Sequence, residues 1–230
     1  MMKKVLLGLG ILCSGSVMAQ NVQLHYDFTK ERRYFTSTVE QFKPDKWGST
    51  FYFIDFDYDA NKKNVSSAYM EISRNIKLGS FPVMAHVEFN GGLKHKVGEY
   101  GNGVNFDNCY LFGAAYATQV AGGNIEAQLM YKSITNAKEG PDFQATLVWG
   151  YPLLNGKLSF SGFIDFWTTD DFNNAGEADG KKLVILTEPQ LWYNISKSFA
   201  AGSEVEISHN FIYGSEDVEI FPTIAVKYSF

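Results

Sequence analysis

Cysteine is nearly absent. The 230-residue chain has two, Cys13 and Cys109, and Cys13 falls in an N-terminal segment that reads as a leader. One remaining thiol cannot close an intrachain disulfide, so a stapled secreted domain is excluded. A basic excess is also lacking: 20 Lys and Arg face 25 Asp and Glu, for a net charge of −5. That excludes the basic face on which a nucleic-acid binder depends. Beyond the N-terminus no apolar run approaches the roughly 18–20 residues a membrane-spanning helix needs. No Ser/Gly-rich or Pro-rich linker divides the chain, which reads as one domain.

What is present begins with Met1-Met2-Lys3-Lys4, an apolar run from Val5 to Cys13, and Ser14-Gly15-Ser16-Val17-Met18-Ala19. A basic start, a short apolar core and small residues at Val17 and Ala19 predict a secretory signal peptide over residues 1–19, cleaved after Ala19. Leu12 before Cys13 argues against lipoprotein processing. Residues 20–230 then form the exported domain.

That domain is rich in aromatics, at 16% of the chain, and alternates at a period of two, the signature of strands. About twelve alternating segments can be drawn between turn signals. In the third, Tyr52, Ile54, Phe56 and Tyr58 oppose Phe51, Phe53, Asp55 and Asp57. In the ninth, Leu158, Phe160, Ile164 and Phe166 oppose Ser159, Ser161, Phe163, Asp165 and Trp167. The facing of residues 106–120 is blurred by Gly113-Ala114-Ala115, and Lys197–Ser203 reads as a loop. Gly122-Gly123 and Asn155-Gly156 read as turns.

The last segment decides between architectures. Val218, Ile220, Pro222, Ile224, Val226, Tyr228 and Phe230 form an apolar face that runs to the terminal residue. An edge strand of a soluble sheet avoids such a face because it invites aggregation, whereas a closed barrel has no edge and turns its apolar face to lipid. The segments are longer than the roughly 5–6 residues of soluble strands, and the connections alternate between longer charged loops and short turns. The expectation is an all-β fold: a transmembrane antiparallel β-barrel of about 12 strands in the Gram-negative outer membrane, in contact with lipid. The final strand resembles the C-terminal signal of bacterial outer-membrane barrels, which implies recognition by the assembly machinery through Phe230.

The other face would line the lumen. It carries Phe51, Phe53, Phe163, Trp167 and Trp192 together with Asp55, Asp57, Glu71, Glu88, Asp165 and Glu188. Aromatic faces stack on flat rings and carboxylates accept hydrogen bonds from hydroxyls, which suits a small, neutral, polyhydroxylated solute. The alternative is a lumen plugged by ion pairs with Lys132 and Lys227, which would make the barrel a structural or surface-interaction scaffold.

An enzyme is the third reading. Ser208 and His209 alternate onto opposite faces and cannot form a dyad, and His86 with Glu88 reads as a polar pair. His25, His86, His95 and His209 show no metal-ligand spacing. No catalytic residue, metal or other cofactor is expected.

Tyr34–Asp45, Trp47–Tyr58 and Tyr69-Met70-Glu71-Ile72-Ser73-Arg74 resemble an uncharacterised family of outer-membrane proteins. More distantly they look like the Tsx-type nucleoside-specific channels. The latter resemblance implies a monomeric twelve-stranded barrel that passes nucleosides.

Overall fold

A computed structural model describes residues 19–59, 64–95, 103–173, 175–212 and 214–230. The predicted leader lies outside the described residues except for Ala19. Parts of two predicted loops, residues 60–63 and 96–102, also lie outside them.

Strands that follow one another in sequence pair antiparallel, except at one broken stave. In order they are β1 (Ala19–Asp27), β2 (Phe35–Asp45), β3 (Gly48–Asp59), β4 (Asn64–Lys77), β5 (Met84–His95), β6 (Gly103–Val120) and β7 (Gly123–Ile134). There follow β8 (Asp142–Leu153), β9 (Leu158–Phe172), β10 (Ala178–Thr187), β11 (Gln190–Asn194), β12 (Phe199–His209) and β13 (Val218–Ser229). β1 closes the sheet on β13, from Asn21 opposite Ser229 to Asp27 opposite Thr223. β10 and β11 both lie between β9 and β12 and are two halves of one stave, so the barrel has twelve staves.

The break falls at Glu188-Pro189, because proline has no N–H to give to a ladder. Neighbours partly repair it: Glu188 N–H donates to the Phe163 carbonyl at 3.2 Å, and the Pro189 carbonyl accepts from Val205 N–H at 3.1 Å.

Burial shows which face is inside. On β1, Val22 and Leu24 are 39% and 42% exposed, whereas Gln23 and His25 are 2% and 4% exposed. The same inversion recurs on β13, where Ile224 and Val226 are exposed and Thr223 and Ala225 are buried. A soluble protein hides its leucines and exposes its glutamines. On these strands the arrangement is reversed, and only hydrocarbon around the barrel makes it stable. With the closed sheet, this apolar belt makes the chain an outer-membrane barrel.

The segment 106–120 resolves with Leu111 and Ala115 inward and Tyr110, Phe112 and Tyr116 outward. Two boundaries differ from expectation. The stretch Lys197–Ser203 is mostly strand: β12 starts at Phe199 after a tight turn in which Ile195 and Ser196 N–H both donate to the Phe199 carbonyl. Ala200-Ala201-Gly202 offer no polar–apolar contrast, so the period of two is invisible there. They are small because Trp192 lies opposite: a Cβ on Gly202 would meet its ring at 2.7 Å. The turn between β6 and β7 is Ala121-Gly122, one residue earlier than read, with φ of 51° and 83°. This is the doubly positive turn that matches strand twist.

Candidate functional site: an acidic, aromatic lumen

Residues opposite one another in a ladder share a face, so register carries the inward face around the barrel. Asp55 sits opposite Thr38 on β2 and Tyr69 on β4, and Phe53 lies opposite Glu40 and Glu71. Glu71 is paired with Asn90, and Glu88 with Leu111. Across the barrel Trp167 pairs with Gln144 and Val184, and Asp165 with Thr146. Trp192 lies opposite Ser159 and Gly202. By this chain Phe51, Phe53, Asp55, Asp57, Glu71, Glu88, Phe163, Asp165, Trp167 and Trp192 all point into one lumen. Glu188 joins them at the break, within electrostatic reach of Asp55, Glu71, Glu204 and Glu206.

The carboxylates are held by neighbouring side chains. Thr38 donates to Asp55, Thr36 to Asp57 at 2.7 Å, the Tyr69 hydroxyl to Glu71 at 2.7 Å, and Thr146 to Asp165. Gln190 donates to Glu204, and the Trp192 indole N–H to the Gln190 carbonyl at 2.9 Å. One wall is aromatic: Phe51, Phe53, Tyr69 and Phe106 follow one another with centroid separations of 6.2, 6.1 and 5.6 Å.

On the opposite wall the aromatic faces already carry cations of the chain itself. Lys132 Nζ lies 4.4 Å from the Trp167 ring centre and Lys227 Nζ 3.9 Å from that of Trp192. Neither lysine is within ion-pair distance of a carboxylate among the described residues; Lys132 instead donates to Gln144 at 2.8 Å. Trp192 has no exposed surface. It packs with His25 at 5.9 Å beneath Lys227 and forms part of a floor toward the turn side.

The loop-side mouth holds a group with no sequence signal. Arg32, from the loop between β1 and β2, reaches across β1 and β13 to grip Glu206 on β12, with Nη1 and Nη2 at 2.8 and 2.7 Å. Its guanidinium lies 3.6 Å from the Phe221 ring centre, with Asp27 at 3.8 Å. Burial works against the Arg32 charge, but the hydrogen bonds and the charge of Glu206 outweigh it and lift its pKa above the usual arginine value. Arg32 is therefore a fixed positive charge.

Glu40, Tyr69 and Glu206 stand on strand faces that alternation marks as polar, so they were legible as lumen residues. Glu204, two residues before Glu206, shares that face. His86 makes the polar pair expected of it, with Glu88 at 3.3 Å and Asn75 at 2.7 Å. Ser208 faces inward at 2% exposure, and its ladder neighbour Glu219 shares that face while His209 points to the other.

A model of the family described as a domain of unknown function, DUF5020, matches residues 19–230. No curated protein sequence matches the chain. Among solved structures the barrel is similar to the NanC porin, at TM-score 0.56 and 11% identity, over 92% of this chain and 99% of that one. It is similar to the KdgM porin at TM-score 0.51 and 11% identity over the same shares. It is also similar to KdgM in complex with disordered oligogalacturonate, at TM-score 0.50 and 11% identity, again over 92% of this chain and 99% of that one. At these identities the likeness is one of fold.

Proposed function

The chain belongs to the DUF5020 family, and from that premise and the lumen described above we propose that it is a narrow passive channel of the outer membrane. Its solutes would be small, neutral and nucleoside-like. The observation that carries this reading is the pooling of stacked aromatics and carboxylates on one inward face. Phe51, Phe53 and Tyr69 offer an aromatic track, and Asp55, Asp57 and Glu71 supply acceptors beside it for sugar hydroxyls. The acid lining repels anions. The oligogalacturonate of the KdgM complex is therefore a poor guide to the solute here, although the fold is shared. The distant likeness to Tsx-type channels supports the nucleoside choice.

In this reading the protein is exported by a leader removed after Ala19, assembled through its C-terminal strand, and works as a monomer. It is not an enzyme, since Ser208 and His209 point to opposite faces. The decisive experiment is single-channel conductance of the refolded barrel in a planar bilayer, with and without nucleosides. Block by low nucleoside concentrations is the expected result, and an unaltered current would refute nucleoside binding.

A second reading is a scaffold whose lumen is closed. It is favoured by the complete burial of Trp192 and Leu111 and the near-complete burial of His86. Absence of any conductance from a correctly folded barrel would establish it.

A further inference from the structure

The middle of the lumen has more hydrogen-bond acceptors than the chain can serve. Glu71 on β4 is paired with Asn90 on β5, and Glu88 stands two residues before Asn90 on the same face. Glu71, Glu88 and Asp165 lie within electrostatic reach of one another, with Lys132 the one lysine among them. The donors nearby are already engaged. The Tyr69 hydroxyl is on Glu71, the Thr146 hydroxyl on Asp165, His86 Nε2 is 3.3 Å from Glu88, and Lys132 is on Gln144 and over the Trp167 ring.

Among the described residues the Asn90 side-chain carbonyl has no partner. The residue is only 5% exposed, and Oδ1 is fully shielded. A buried acceptor without a donor is uncommon in native structures and calls for a partner from outside the chain. A water could serve Asn90, but it brings no charge to Glu71 opposite it or to Glu88 two residues away.

The spacing also selects the kind of cation. Among the described residues no three His, Cys, Asp or Glu side chains converge closely enough to hold a metal ion. Glu71, Glu88 and Asn90 are spread instead along the wall beside the rings of Phe53, Tyr69 and Phe106, with Asp165 across the lumen on β9. Dispersed carboxylates, an orphaned carbonyl and flanking aromatic faces suit an extended cation with several N–H donors, because an ammonium gains from both the charges and the ring faces.

We propose that Glu71, Glu88, Asn90 and Asp165 form a mid-lumen subsite for small organic cations of the polyamine class. It rests on the channel reading and extends it from neutral to cationic solutes: among solutes of equal size, those with separated ammonium groups are held most strongly.

The test uses the full-length barrel and spermidine as the probe. In a planar bilayer, spermidine should block current in a voltage-dependent manner at concentrations where adenosine does so weakly. Block should weaken at least tenfold in the Glu71→Gln/Glu88→Gln double variant and in Asn90→Leu, with folding of each checked by heat-modifiable gel mobility. Calorimetric titration of the detergent-solubilised barrel with spermidine should show the same order of affinities. Current that ignores spermidine overturns the subsite and leaves the channel standing. Block or heat of binding that is equal in wild type and both variants also overturns it. If the barrel does not conduct, the channel reading fails, and calorimetry alone decides: binding lost in the variants upholds the subsite, and no binding to wild type overturns it.

Discussion

Removing Arg32 tests whether the loop-side mouth lies on the permeation path. The side chain makes two charge-assisted bonds to Glu206, at 2.8 and 2.7 Å, with the two side chains 20% and 14% exposed. Breaking a fully buried pair costs about 3–5 kcal/mol. Residual exposure here lowers the Arg32→Ala loss to roughly 2–3 kcal/mol, or roughly 30–140-fold in the balance between anchored and free loop. The permeation effect is separate from this loss. At roughly 10 Å in a water-like medium one unit charge is worth about 0.4 kcal/mol, favourable to one ion sign and unfavourable to the other. Deleting the charge should therefore raise the cation-over-anion permeability ratio by about fourfold, less as salt screens it.

The assay is the reversal potential across a salt gradient, read for wild type, Arg32→Ala and Arg32→Lys. Lysine keeps the charge and loses the two-pronged grip, so selectivity should stay near wild type while the loop between β1 and β2 becomes more open to protease. A reversal potential that is unchanged in Arg32→Ala, from a folded and conducting barrel, would refute the placement of Arg32 on the ion path.

Three further outcomes are expected. Leu129, 70% exposed at the middle of β7, should meet hydrocarbon, so Leu129→Arg should destabilise the barrel by about 2–4 kcal/mol in denaturant titrations in lipid. Gly202→Val should destabilise the barrel by about 1–3 kcal/mol, because its Cβ would clash with the Leu191 carbonyl and meet the Trp192 ring at 2.7 Å; the shift of the unfolding transition is read from tryptophan fluorescence. Lys181→Ala should expose the loop between β7 and β8 to hydrogen exchange. Lys181 bonds Asp170 at 2.6 Å and Asp142 at 3.1 Å, and Asp170 in turn holds the Lys138 and Glu139 N–H groups at 2.6 and 3.1 Å.

Most of the barrel was legible in the sequence because a strand has only two faces. Once alternation put Phe53, Asp55 and Glu71 on the polar faces, their common destination followed from any closed sheet. Alternation failed where side chains offered no contrast. Ala200-Ala201-Gly202 concealed the start of β12, and Pro189 split one stave in a way that periodicity does not show. Arg32 was hidden for another reason: a loop residue has no period, and its place depends on Glu206, which is far away in sequence.

The order of strands, the existence of two chemically distinct faces and the membership of the lumen lining were thus determined by local sequence alone. Which lining groups meet one another was decided only in three dimensions. Lys227 covers Trp192, Lys132 covers Trp167, and Phe51, Phe53, Tyr69 and Phe106 follow one another along the opposite wall. The physical reason is that facing is a property of one strand, whereas contact across a lumen depends on the stagger and closure of all twelve staves.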